Sequence, residues 1–287
     1  MSKLYKTLVW NNEVALAVLD TTALVNEAAA RHAPSDTAAA ALGRTMTGAS
    51  YLAGWLKDEK SKLFVTVDGG GPCGKIRVTA DGALRLSGFL EHPQADVPPR
   101  GEHKLDVGAL VGKEGTLTVI RDDGDGIPFT GTSPLVSGEI AQDFSAYFLT
   151  SEQRPTAVAL GVLMRGGKCL SAGGVFLELL PGASEGAFDR AEREIQTYSA
   201  LSTRLIEVGA KGILSAFGAE SATEREIRFS CTCSHERAAR AVISLGEREA
   251  QALLNEKGRV EVHCDQCNTT YSFDESEVRD LFHTEKK

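Results

Sequence analysis

Lys3 to Trp10 and Val14 to Leu19 pattern as paired strands around the turn Asn11-Asn12. Asp20 and Thr21 offer N-caps for a helix through His32, and an alanine-rich helix is predicted from Asp36 to Trp55. Apolar and polar residues then alternate over Lys62 to Val67, Lys75 to Thr79 and Ala83 to Leu90. That period of two marks a meander, with Asp81-Gly82 as a hairpin turn. Residues 91–115, rich in Gly, Pro and charge, read as a long loop, and Leu117 to Arg121 as a further strand. Helical periodicity returns from Gly138 to Gln153, where Ile140, Phe144, Tyr147 and Phe148 share one side. Thr156 to Met164 and Cys169 to Leu180 are mostly apolar and read as buried strands. Strands interrupted irregularly by helices predict an α+β body with a mixed sheet and packed helices over residues 1–180.

After Pro181-Gly182-Ala183 the pattern changes. Residues 184–230 are rich in charge, Ala and Ser, and Ile195, Tyr198, Leu201, Leu205 and Val208 fall at helical spacing. The apolar stripe is narrow, and Gly209, Gly212 and Gly218 interrupt it. Such a helix has no core of its own and has to dock on something or stay marginal. Residues 181–230 therefore read as an amphipathic, metastable linker. Residues 231–287 form a small C-terminal module. In it, Glu236 to Leu245 and Glu247 to Asn255 pattern as helices, and Arg259 to His263 with Thr269 to Phe273 as a hairpin.

Four cysteines give that module its chemistry: Cys231 and Cys233 in C-x-C, then Cys264 and Cys267 in C-x-x-C after thirty intervening residues. Two close thiol pairs separated by a foldable loop predict one tetrahedral Zn²⁺ held by Cys231, Cys233, Cys264 and Cys267. His235 and His263 stand beside them, so mixed Cys/His ligation is the alternative ligand set. The module has 57 residues, few for independent folding, and a metal commonly supplies what such a core lacks. The metal is either a passive staple or a redox-sensitive latch, because the same sulfurs can be oxidised in pairs. Cys73 and Cys169 stand alone and read as small buried apolar residues.

Charge narrows the partners. The 287-residue chain has a net charge of −8, with no basic footprint for nucleic acid or an anionic membrane. The module carries eight Lys/Arg against eleven Asp/Glu, a balance of −3. Four thiolates around Zn²⁺ add about −2 more, which makes a poor phosphate binder. The first ten residues lack a long apolar stretch, and the longest apolar run, Thr156 to Met164, is far short of a membrane span. A cytoplasmic protein is expected, and in that compartment paired thiols serve as metal ligands rather than standing disulfides.

Other motifs fall away. Gly69 to Lys75 nearly matches a phosphate loop, but Ile76 stands where a hydroxyl is needed and a strand pattern follows instead of a helix. Asp122-Asp123-Gly124-Asp125-Gly126 lacks calcium-loop spacing and reads as a solvated turn. Glu139 and Asp143 sit one turn apart, and acids at a helix N-terminus account for them. No G-x-S-x-G and no Ser/His/Asp constellation is present, so an enzyme is not expected.

The chain resembles the heat shock protein 33 family, the redox-regulated 33 kDa chaperonins. The resemblance is carried by the cysteine spacing and by S-G-E-I-A-Q-D-F-S-A-Y-F-L-T-S-E-Q-R-P-T-A-V-A-L-G-V-L from Ser137 to Leu163. It extends through A-G-G-V-F-L-E-L-L-P-G-A from Ala172 to Ala183 and C-S-H-E-R-A-A-R-A-V-I-S-L-G from Cys233 to Gly246. It implies an ATP-independent holdase that binds unfolding client proteins, inactive when reduced and zinc-bound. It also implies oxidation to Cys231–Cys233 and Cys264–Cys267 disulfides with zinc release, and a homodimer when activated. Two other function classes stand beside it: a zinc-ribbon-type protein that binds RNA or ribosomes, and a thiol oxidoreductase working through Cys264 and Cys267. Salt-sensitive nucleic-acid binding would mark the first. Catalytic disulfide turnover would mark the second, although its C-x-x-C follows no thioredoxin-like βαβ pattern.

Overall fold

The structure, a computed structural model, describes residues 1–101, 104–124 and 126–283. Asp125, in the acidic turn, and residues 102–103 of the long loop lie outside that range. The chain divides into two compact units, Met1–Ser230 and Cys231–Lys287.

The first unit is α+β, as the pattern predicts. Its strands are β1 (Ser2–Val9), β2 (Val14–Asp20), β3 (Lys62–Asp68), β4 (Ile76–Asp81), β5 (Arg85–Leu90), β6 (Thr116–Asp122), β7 (Phe129–Pro134), β8 (Thr156–Arg165), β9 (Lys168–Leu179) and β10 (Thr223–Phe229). They form one sheet in the order β7-β6-β3-β4-β5-β10-β1-β2-β9-β8. Only the β10–β5 pair is parallel among the described pairings, which makes the sheet mixed. The helices are α1 (Thr22–His32), α2 (Asp36–Ala53), a short α3 (Val107–Val111), α4 (Ala141–Thr150), α5 (Glu185–Gln196) and α6 (Leu201–Ala216).

The alanine-rich α2 is buried along almost its whole length. Ser35 caps it by accepting from Ala38 N–H at 3.1 Å. Small residues let α4 press close: a Cβ on Gly48 would lie 2.2 Å from the Phe144 ring. With α1, α2 and α4 on one side, the sheet buries Leu4, Leu19, Val65, Val78, Phe144 and Phe176 in the main core. On the other side, α5 and α6 set Tyr198, Leu201, Leu205, Ile213 and Phe217 against Val14, Leu16, Val18, Val175 and Leu177.

The loop before α4 is held by a buried carboxylate. Asp143 accepts from the backbone N–H of Val136, Ser137, Gly138 and Ile140 at 2.7–3.3 Å. Those bonds hold Ile140 at φ 71°, a conformation a β-branched residue avoids. Glu139 instead pairs with Arg44 at 2.7 Å and Arg100 at 3.2 Å. Each carboxylate is committed to structure. The glycines of the near-phosphate loop pack on α3, where Gly71 N–H donates to Val111 O at 2.9 Å and Cys73 N–H to Leu110 O at 3.2 Å.

Several elements differ from the pattern-based expectation. The single linker helix is two helices, because the chain turns at 197–200 and Tyr198 folds inward to stack on Phe217 at 5.4 Å. Gly209, at φ 65°, kinks the second helix, and Val208 before it is exposed. β10 has the sequence T-E-R-E-I-R-F, which looks solvated, yet Ile227 is 3% exposed in the main core. β7, F-T-G-T-S-P, has too few apolar residues to announce itself and pairs with β6 at the edge of the sheet. Residues 181–230 thus lie inside the first compact unit.

In the second unit, α7 (His235–Leu245), α8 (Glu247–Lys257), the hairpin β11 (Val260–Cys264) and β12 (Thr269–Phe273), and α9 (Glu275–His283) close a small core. Its fully buried members are few: Ala238, Val242, Ala250, Leu254, Val260, Phe273 and Val278, with Cys267 beside them in burial. The helix α9 buries Val278 and packs Leu281 and Phe282, three and four residues on, against the same core.

Candidate metal centre

The C-x-C pair lies on the extended stretch between Ser230 and α7, whose first turn is capped by Ser234 accepting from Arg237 N–H at 3.2 Å. The C-x-x-C pair forms the tight turn of the β11–β12 hairpin. There Cys267 N–H and Asn268 N–H both donate to Cys264 O, at 3.3 Å and 2.8 Å, and Asn268 takes φ 58°. Asn is among the few residues that tolerate this left-handed position without glycine.

Folding brings the pairs face to face. Cys231 Sγ lies 3.7 Å from Cys264 Sγ, and Cys233 Sγ lies 3.3 Å from Cys267 Sγ. All four sulfurs fall within 4.8 Å of one another. Zinc–sulfur bonds of about 2.3 Å at tetrahedral angles put sulfurs about 3.8 Å apart, so this donor set fits one ion. Among the described residues it is the only such group of three or more His, Cys, Asp or Glu side chains. The cysteines are free thiols, with no disulfide among them.

The two histidines face elsewhere. His235 packs its ring on Phe273 at 4.5 Å and approaches Glu277 at 3.8 Å, and His263 Nδ1 lies 3.1 Å from Thr270 Oγ1. The mixed Cys/His alternative therefore has no support from the geometry.

Neighbouring groups bias the bare thiols unequally. Burial pushes Cys231 and Cys264 up. Burial acts the same way on Cys267, but hydrogen bonding from Thr269 and Cys233 outweighs it and brings that thiol down to about 7. Tyr271 donates to Cys233 Sγ at 3.1 Å, and its own ionisation is pushed up to about 12, first by that hydrogen bond. The sequence pattern does not single out Thr269 and Tyr271. They stand two and four residues after Cys267, where alternation along β12 puts them on one face. Cys73 and Cys169 are buried in the other unit, and desolvation raises each to about 11. They are poor nucleophiles and poor ligands there.

The sequence model of the family described as "Hsp33 protein" matches residues 2–274. The chain belongs to the Hsp33 family. Relatives in it include the 33 kDa chaperonin of Shouchella clausii, 40% identical over 283 residues, covering 96% of this chain and 95% of that one. The 33 kDa chaperonin of Staphylococcus carnosus is 38% identical over 283 residues, covering 96% of each. The crystal structure of the 33 kDa chaperonin (heat shock protein 33 homolog) from Thermotoga maritima superposes with a TM-score of 0.89 at 30% identity, covering 98% of each chain. Hsp33 membership supports a chaperone function, and these relatives are named as chaperonins rather than enzymes. No helix among the described residues is long and apolar enough to cross a membrane.

Proposed function

We propose that this chain is a redox-regulated, ATP-independent holdase that binds unfolding proteins and keeps them from aggregating under oxidative stress. In the reduced form Cys231, Cys233, Cys264 and Cys267 hold one Zn²⁺ and the protein is inactive. When bound, the ion keeps the sulfurs as thiolates and supplies folding free energy, roughly 10–16 kcal/mol in small zinc modules. The observation that carries this reading is the convergence of four sulfurs, from two places in the chain, within 4.8 Å in a unit with a very small apolar core.

Oxidation acts on the cysteines directly. In each pair two thiolates lose two electrons and form one S–S bond, while a peroxide takes up two protons and leaves as two waters. The expected bonds are Cys231–Cys233 and Cys264–Cys267. Disulfide sulfurs no longer serve as thiolate ligands, so the module loses its clasp. A C-x-C disulfide lies outside relaxed geometry and is readily reduced, which makes the switch reversible.

The metastable segment is the helical part of residues 181–230. α5 buries only the small Ala187 and Ala191, Phe188, Ile206 and Val208 face solvent, and Gly209 breaks α6, whose Leu201, Leu205, Ile213 and Leu214 hold it to the sheet. Their departure would uncover Val14, Leu16, Val18, Val175 and Leu177, an apolar sheet face suited to unfolded clients. β10 is bonded on both sides, so it is the part of the segment that stays. The unfolded proteins are the partners, and a homodimer forms on activation. The chain works in the cytoplasm, without nucleic acid or membrane.

The test is light scattering from a heat-unfolding client. Reduced, zinc-loaded protein should leave aggregation unchanged, and protein treated with peroxide at mild heat should suppress it without nucleotide. Equal suppression before and after oxidation would refute the latch.

A further inference from the structure

α2 ends at Ala53. A cavity of about 330 Å³ opens there. Its floor follows from strand register: Lys6 stands opposite Ala17, Leu8 opposite Ala15, and Ala15 opposite Glu178. Two alanines between long side chains leave the space, and Tyr51 and Trp55 wall it.

The cavity's other charges are spent. Glu178, 4% exposed, accepts from the Tyr51 hydroxyl at 2.8 Å and from Arg154 Nε at 2.6 Å. Arg154 lies over the Trp55 ring at 4.2 Å. Lys6 is less committed. Among the described residues its ammonium donates one hydrogen bond, to Gly54 O at 3.0 Å, and its nitrogen sits 5.4 Å from the Tyr51 ring centre.

The surroundings weaken the hold of Lys6 on its proton. Burial is the largest influence on Lys6 and works against its charge, as do Arg225 from β10 and Arg154, while Glu178 from β9 favours it. The balance lowers Lys6 to about 8. An amine that is partly unprotonated near neutral pH, beside an apolar and aromatic cavity, is a nucleophile with a binding site attached.

We propose that Lys6 is a covalent modification site that captures small apolar aldehydes as imines inside this cavity. Lys6 Nζ adds to the carbonyl carbon. Both amine hydrogens then leave with the carbonyl oxygen as water, and a C=N bond replaces C=O with no change of oxidation state. An uncharged apolar body suits Leu8, Tyr51 and Trp55, and a neutral imine removes the charge that burial disfavours.

The experiment uses the full-length reduced protein, benzaldehyde, and cyanoborohydride to reduce each imine to a stable amine, with peptide mass mapping. Near neutral pH, Lys6 should be labelled roughly tenfold faster than the exposed Lys57, Lys60 and Lys113, since far more of it is the free base. Benzyl alcohol, which has the ring but no carbonyl, should slow Lys6 labelling alone. Lys6→Arg should remove that label, and Ala15→Leu, which fills the cavity, should slow it several-fold. Labelling of Lys6 no faster than the exposed lysines, or insensitive to benzyl alcohol, would overturn the proposal without any variant.

Discussion

Single residues carry more of this molecule than their type suggests. Asp143 satisfies four backbone N–H groups and holds Ile140 in a left-handed conformation. Asp143→Ala strips an anionic acceptor from a buried loop, at a cost of about 3 kcal/mol or more. Urea denaturation should show that loss as a lower midpoint with an unchanged slope. Lys6 gives a pH signature of its own. Its value is about 8 in the folded chain against an ordinary 10.5. Between those values the unfolded chain binds more protons, so the stability contributed by this group rises with pH. Compared with Lys6→Met, the natural chain should gain up to about 2 kcal/mol between about pH 7.5 and 9.5 in paired urea titrations.

Among elements, β10 is the least expected and the most consequential. It pairs antiparallel with β1 and parallel with β5, so the last strand of the first unit joins the two halves of the sheet. Its alternation of Glu and Arg hides this, and one side chain, Ile227, reaches the main core. Ile227→Ala should cost about 2–5 kcal/mol in equilibrium unfolding. A loss below about 0.5 kcal/mol would mean that β10 adds little to the sheet. By contrast, α5 and α6 present their apolar residues at recognisable helical spacing. Pattern shows such a stripe but not what covers it, and here the covering surface is the far face of β1, β2, β8 and β9.

At the scale of the whole molecule, two units of very different self-sufficiency share one chain. The first buries a core on each side of a ten-stranded sheet. The second has a handful of buried apolar residues around four sulfurs. Chelating zinc from reduced protein should therefore unfold the second unit selectively. Limited proteolysis would then cut beyond Ser230, and circular dichroism would lose the signal of α7, α8 and α9 while the thermal transition of the first unit remains. A protease-resistant, metal-free module would contradict a zinc-dependent fold.

The cysteine spacing by itself determined the candidate site, because ligand type and separation along the chain constrain a tetrahedral site strongly. Local periodicity likewise determined β1 to β6, β8, β9, β11, β12, α1, α2, α4, α7 and α8, since one-sided burial imprints itself on neighbouring residues. Tertiary structure alone decided the rest. The sheet position of β10, the pairing of β7, the division of residues 185–216 into two helices and the roles of Tyr271 and Thr269 all depend on partners distant in the chain or on geometry across a hairpin. The Lys6 cavity belongs with them. It exists because strand register sets two alanines among long side chains where α2 ends, and register is not readable from one strand by itself.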